Sequence, residues 1–227
     1  MKEMGEVLSE EMAACGTTWA FTPCVASSRD DRWGRSYEAF SEDPKIVSQL
    51  IGPFIESIQK DYPWNRKILG CAKHFVGDGG AMWGTGRWGY QIDEGDLVCD
   101  EETLRRIHLP AYLEAIKADV ATVMPSYSSW NGIQMHRNAY LLNNVLKGEL
   151  GFKGFVISDY DAVARLDGDD YNDKIAESIN AGVDMIMIST GVQETFKGIV
   201  KGIEEGKVKI ENYKRILFSR YSTFIPN

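Results

Sequence analysis

The chain has 227 residues, 44% of them apolar, with 22 glycines and a formal charge of −8 from 25 basic and 33 acidic side chains. That length allows one sizeable domain with a real core, and the composition excludes a disordered chain. No Lys/Arg block suggests a nucleic-acid groove, and no apolar run approaches the ~20 residues that cross a bilayer. The opening MKEMGEVLSEEM is amphipathic and acidic, unlike a signal peptide, so the compartment stays open.

In chain order, Met4, Val7, Leu8 and Met12 recur at helical spacing, and Gly16 ends that helix. The run TTWAFTP (17–23) reads as a strand, followed by a polar, Arg-rich loop. Ser41 is the expected N-cap of the next helix, with Pro44 in its first turn and an apolar face from Ile46 to Ile58. After a turn at 61–67, KILGCAKHFV is a strand that runs into a glycine-rich loop from Gly77 to Gly95. A helix is expected over 100–117, disturbed at Pro110. VATVMPSY is a strand, 141–150 a short helix, and GFVISD the cleanest buried strand. A helix over 174–181 meets Gly182 where a terminating glycine belongs. VDMIMIS is a further strand, and helices follow from about Gln193 and about Ile210.

Strands alternate with helices, and the strands are continuous apolar runs. That pattern predicts an α/β fold with parallel strands and outer helices. A doubly wound sheet and a TIM-type (β/α)8 barrel both fit it. Five convincing strands, against eight in a barrel of about 250 residues, point to an incomplete barrel or an open sheet. The whole of 1–227 is expected to form a single barrel-like domain.

Polar residues collect at the C-terminal strand ends, where α/β sites form. Arg35 follows the first strand, Lys73 and His74 end the second, Tyr127 follows the third, and Asp159 ends the fourth. Asp159, directly after a buried strand, is placed as a nucleophile would be; a helix N-cap or loop carboxylate is the plainer reading. Lys73 and His74 could hold ligand hydroxyls, or serve as an ion-paired Lys and a satisfied core His. Trp33, Trp83, Trp88, Tyr90, Tyr127, Trp130 and Tyr160 crowd the same loops, suiting a carbohydrate or a packed rim. The loop GDGGAMWGTGRWG matches no phosphate or dinucleotide pattern. Cys15, Cys24, Cys71 and Cys99 match no metal knuckle, and the three histidines lie at no metal spacing.

The segments RDDRWGRSYEAFSEDP (29–44), CAKHFVGDGG (71–80), SYSSWNGIQMH (126–136), LKGELGFKGFVISDYDAV (146–163) and INAGVDMIMI (179–188) occur in that order. Together they resemble the N-terminal barrel domain of family 3 glycoside hydrolases, especially bacterial and plant β-glucosidases and exo-β-glucan glucohydrolases. The resemblance implies Asp159 as nucleophile and Arg35, Lys73, His74, Tyr127 and Tyr160 as substrate-binding residues. It implies a retaining double displacement on non-reducing-end β-D-glucosyl residues of a β-glucoside or β-glucan, with no metal or organic cofactor.

Three departures qualify what is implied. The family's early strand, with a GIDAVHG-like segment, would precede this chain. The acid/base Glu of such enzymes lies in a second α/β sandwich domain, beyond Asn227. Tyr160 replaces the usual tryptophan after the nucleophile. A branch acting on N-acetylglucosamine carries a D-S-H-like loop instead; none occurs here, and His108 and His136 look poorly placed to supply an acid. No role is implied for Asp30, Asp31, Asp78 or Asp161. The chain is thus expected to be either an active domain, a catalytically incomplete sugar-binding fragment, or a subunit whose partner supplies the Glu. An uncovered strand edge further leads us to expect marginal stability or a homo-oligomer.

Overall fold

The computed structural model describes residues 1–61, 68–209 and 211–212. Most of the turn expected at 61–67 and of the helix expected from Ile210 therefore falls outside the described residues. The chain forms two compact units, 1–132 and 133–227.

In the first unit, helix α1 (Lys2–Ala14) turns Gly5 and Ser9 inward. The Ser9 hydroxyl donates to the Ile58 carbonyl at 3.0 Å, fastening α1 to helix α2 (Pro44–Ile58). The cap of α2 is Asp43, not Ser41: its carboxylate accepts from the Lys45 N–H at 2.8 Å, while Ser41 Oγ accepts from the Asp43 N–H at 3.1 Å. Pro44, lacking an N–H to satisfy, takes the first helical position. Val47, Ile51, Phe54, Ile55 and Ile58 form the buried face expected of α2.

Strand β1 (Cys71–Phe75) runs parallel to strand β3 (Thr122–Pro125). The expected strand over 17–23 is instead an extended segment with isolated parallel bridges, Trp19 to Leu69 and Cys24 to Lys73. Lys73 is bonded on both sides, its N–H donating to the Pro23 carbonyl at 3.1 Å and its carbonyl accepting from the Val25 N–H at 2.7 Å, but Pro23 itself has no N–H to extend the ladder. Gln59 ties the strand entrances together. Its Oε1 accepts from the Gly70 and Ala121 amides at 3.0 and 2.9 Å, and its Nε2 donates to the Asp119 carbonyl at 2.8 Å. Short parallel strands β2 (Asp96–Leu97) and β4 (Ser129–Trp130) close the glycine-rich loop.

The helix expected over 100–117 is broken into three pieces. Asp100 caps helix α3 (Glu101–Thr103), a π-helical turn spans Leu104–His108, and helix α4 (Pro110–Lys117) opens on the proline. The Leu109 N–H bonds back to Leu104 O at 3.2 Å, so the disturbance expected at Pro110 appears as a widened turn just before it. Phe75 of β1 and Tyr112 of α4 meet edge to face at 4.9 Å in the core.

The second unit contains strand β5 (Ile133–Gln134), a tight turn at Met135–Arg137, a π-wound helix at Tyr140–Glu149 and strand β6 (Phe155–Val156). Helices α5 (Tyr171–Ala181) and α6 (Val192–Glu204) follow. Asp170 caps α5, and Gly182 ends it at φ 124°, as its position in the sequence predicts. Val163, Leu166, Ile175, Ile179 and Val208 form the core, with Ile199 and Ile203 of α6 packed on it.

The strand expected over 183–189 is reduced to one parallel bridge, Met185 to Ile157. Backbone bonds still join the two segments, the Met185 N–H to the Val156 carbonyl at 3.0 Å and the Ser158 N–H to the Met185 carbonyl at 2.8 Å, and side chains add to them. Asp184 Oδ2 accepts from the Val156 N–H and from Lys147 Nζ at 2.8 and 2.6 Å, and Ser158 Oγ accepts from the Met187 N–H at 2.8 Å. The fold is α/β, with parallel strands and flanking helices. Six short strands are defined among the described residues, fewer than the eight of a closed barrel.

Candidate active site

Arg35 stands just before a short 3-10 turn at Ser36–Glu38. That turn brings Glu38 back to the guanidinium, whose Nε and Nη2 donate to the two carboxylate oxygens at 2.8 and 2.9 Å. Nη2 also lies 3.1 Å from His74 Nε2, and His74 Nδ1 lies 2.8 Å from Asp78 Oδ2. A guanidinium has no acceptor, so Nε2 must carry the lone pair. His74 is thereby the neutral tautomer with its proton on Nδ1, donating to Asp78. The four side chains form one relay, Glu38–Arg35–His74–Asp78.

The backbone explains how His74 reaches this relay. Lys73 is paired with Met124 and Phe75 with Pro125, its immediate neighbour, so His74 is an extra residue in the β1 ladder. A bulge of this kind re-aims a side chain. The peptides Lys73–His74 and Phe75–Val76 are both cis. Asp78 follows in a tight turn opened by Gly77 at φ 97°, where a Cβ would overlap the Leu97 side chain. A Cβ at Gly79 would lie 2.5 Å from the Ser27 carbonyl oxygen. The GDGG sequence is thus required for close backbone approach beside the site.

Electrostatics follow from this packing. Burial opposes the Arg35 charge, but the hydrogen bonds to Glu38 and the nearby Asp78 and Glu38 carboxylates outweigh it and raise its pKa. The Arg35 hydrogen bonds, against the opposing effect of burial, hold the Glu38 carboxyl below its ordinary range, with the Arg35 and Lys73 charges contributing. Burial, then the Asp78 charge, pushes the Cys24 thiol up to about 12. Donor atoms of Cys24, His74 and Asp78 all lie within 4.8 Å of one another. As ligands they fit a metal poorly, because both His74 nitrogens are engaged and the Cys24 thiol is held protonated.

Lys73 is half-buried in β1, and Tyr127 is half-buried just beyond β3. The Ser126 N–H donates to the Phe75 carbonyl at 2.7 Å, setting the segment that carries Tyr127 at the end of β1. The first unit therefore brings Arg35 and His74 into direct contact and places Lys73 and Tyr127 at neighbouring strand ends.

In the second unit, Asp159 is 9% exposed and follows Ile157 and Ser158 at the end of β6. Its Oδ1 accepts from the Tyr160 N–H at 2.7 Å, and its own N–H donates to His136 Nε2 at 3.0 Å. Tyr160 is about half exposed. Asp161, at φ 52°, accepts from the Ser189 N–H and hydroxyl at 3.3 and 3.1 Å.

Sequence reasoning missed Asp78, Glu38 and His136. The i,i+3 spacing of Arg35 and Glu38 and the i,i+4 spacing of His74 and Asp78 were available signals. Nothing local announces that His136, 23 positions away, meets the Asp159 amide.

The family model for the glycosyl hydrolase family 3 N terminal domain matches residues 1–217. A periplasmic beta-glucosidase of Salmonella typhimurium is 30% identical over 92% of this chain, and a beta-glucosidase of Rhizobium radiobacter is 31% identical over 94%. A beta-xylosidase of Formosa agariphila is 34% identical over 83%. The chain covers 26%, 24% and 26% of these three relatives, so it spans about a quarter of their length. Among solved structures, an exo-1,3/1,4-beta-glucanase from a Pseudoalteromonas species superposes with TM-score 0.87 and 38% identity over the whole chain and 29% of its own. A beta-glucosidase from Listeria innocua gives 0.88 and 28% identity over 98% of this chain and 30% of its own.

Proposed function

Because the chain belongs to glycosyl hydrolase family 3 as its N-terminal domain, we propose that it is the nucleophile-bearing, sugar-binding part of a retaining β-glucosidase or exo-β-glucanase. The observation that carries the reading is the Asp159 carboxylate, largely buried at a strand end and fixed through its own amide. Asp159 attacks the anomeric carbon of a non-reducing-end β-D-glucosyl residue. The aglycone departs with the bond electrons, leaving a glycosyl ester on Asp159 that water then hydrolyses.

Arg35, Lys73, His74, Tyr127 and Tyr160 bind the sugar. Three of Arg35's five N–H groups are used by Glu38 and His74. Its remaining donors and the Lys73 ammonium are suited to hydroxyl oxygens, in bonds strengthened by charge. His74, whose two ring nitrogens meet Arg35 and Asp78, also holds the Arg35 guanidinium in place.

The acid/base Glu is assigned to a further domain or partner outside these residues, as the resemblance implies. Ordinary glucosides need that Glu to turn over, while a substrate with an activated leaving group needs little acid assistance. The test is release of dinitrophenolate from dinitrophenyl 2-deoxy-2-fluoro-β-glucoside, with the matching xyloside run in parallel because one relative is a beta-xylosidase. The glucoside is expected to release one equivalent per chain and then stop. Release from the xyloside alone would move the substrate class to xylosides, and release from neither would refute the reading.

A further inference from the structure

We infer that His136 is a positioning residue for Asp159, an inference that rests on the reading of Asp159 as nucleophile. The contact is the Asp159 N–H donating to His136 Nε2 at 3.0 Å, between two buried residues. An amide N–H can only donate, so Nε2 is unprotonated and the His136 ring proton sits on Nδ1. The imidazole acts here as an acceptor in place of the carbonyl a strand neighbour would offer.

His136 does not act alone. It lies in the turn Met135–Arg137, directly after β5. On one side of it, Gln134 Oε1 accepts from the Asp167 N–H at 2.8 Å. On the other, Arg137 Nη2 donates to the Asp167 carbonyl at 2.6 Å and pairs with Glu177 at 2.9 Å. Residues 134–137 therefore grip the segment 159–167 at both ends: His136 holds its first amide, and Gln134 and Arg137 hold its last residue.

Between these grips the segment is braced internally. Asp159 Oδ1 accepts from the Tyr160 N–H, and the Asp159 carbonyl accepts from the Ala162 N–H at 3.2 Å. Tilting the Asp159 peptide would swing its carboxylate, and a misplacement of about 1 Å can cost about 100-fold in rate. His136 sets that tilt without touching the sugar.

The experiment compares the full wild-type chain with His136→Leu and His136→Gln under labelling by an activated 2-deoxy-2-fluoro-β-glucoside. It reads the first-order labelling constant, the half-saturating reagent concentration, and amide hydrogen exchange at Asp159. Loss of the acceptor in His136→Leu should slow labelling about tenfold with half-saturation changed less than about threefold. His136→Gln, whose Oε1 can accept the same N–H, should recover most of the rate. The Asp159 amide should exchange slowly in wild type and His136→Gln and quickly in His136→Leu. Equal labelling in wild type and His136→Leu, or equal exchange in all three, would overturn the inference. Failure of the wild type to label at Asp159 would instead sink the functional reading, and exchange would still decide whether His136 holds the amide.

Discussion

A neutral, buried imidazole recurs at three positions for three different reasons. His74 is fixed by Arg35 and Asp78, and His136 by the Asp159 amide. His108 is held neutral by burial, which depresses its pKa to about 4, partly offset by Asp78 and reinforced by Arg29. It packs against the glycine-rich turn, where a Cβ on Gly80 would lie 2.6 Å from its Cε1. Its folded pKa lies below the unfolded value of about 6.5, so the unfolded state binds the proton first. The stability this contributes is complete above about pH 6.5 and is lost as pH falls toward 4, about 2 kcal/mol by pH 5. Urea unfolding at pH 7 and pH 5 should show that loss in wild type and a smaller one in His108→Gln. Equal losses would contradict the assignment.

At the scale of elements, α2 was legible by its apolar face although its cap is Asp43 and not Ser41, and α5 by its terminating Gly182 although it starts at Tyr171. Strands were legible as buried apolar runs but not as regular ladders. Pro23 has no N–H to give a ladder, and Asp184 and Ser158 add side-chain bonds beside the backbone ones, which depends on partners remote in sequence. The bulge at His74 was equally hidden, although adjacent polar residues at the end of a buried strand hinted that both face a site. Close packing of α1 on α2 gives a direct test. A Cβ at Gly5 would overlap Ser57 Oγ, which is itself held by the Phe54 carbonyl at 2.8 Å. Helix propensity alone would make Gly5→Ala stabilising by about 1 kcal/mol. Overpacking should win and lower stability by about 1–3 kcal/mol. Gly34→Ala, with nothing within 4 Å of its Cβ, should change stability by less than about 0.5 kcal/mol. Thermal denaturation of the two variants separates the outcomes.

For the molecule as a whole, family membership and α/β class were legible because five separate segments carry the resemblance in order, and the family match covers residues 1–217. Of the candidate site residues read from the sequence, Arg35 and His74 are in direct contact, and Lys73 and Tyr127 stand at neighbouring strand ends. The supporting residues, Glu38, Asp78 and His136, were not legible, because each is defined by what it touches. The central claim is that Asp159 forms the glycosyl ester. Intact mass and peptide mapping after incubation with an activated 2-deoxy-2-fluoro-β-glucoside test it most directly. A single adduct on Asp159, absent in Asp159→Asn, is the predicted result; a folded wild-type chain that gains no adduct, or carries it on another residue, would contradict the claim.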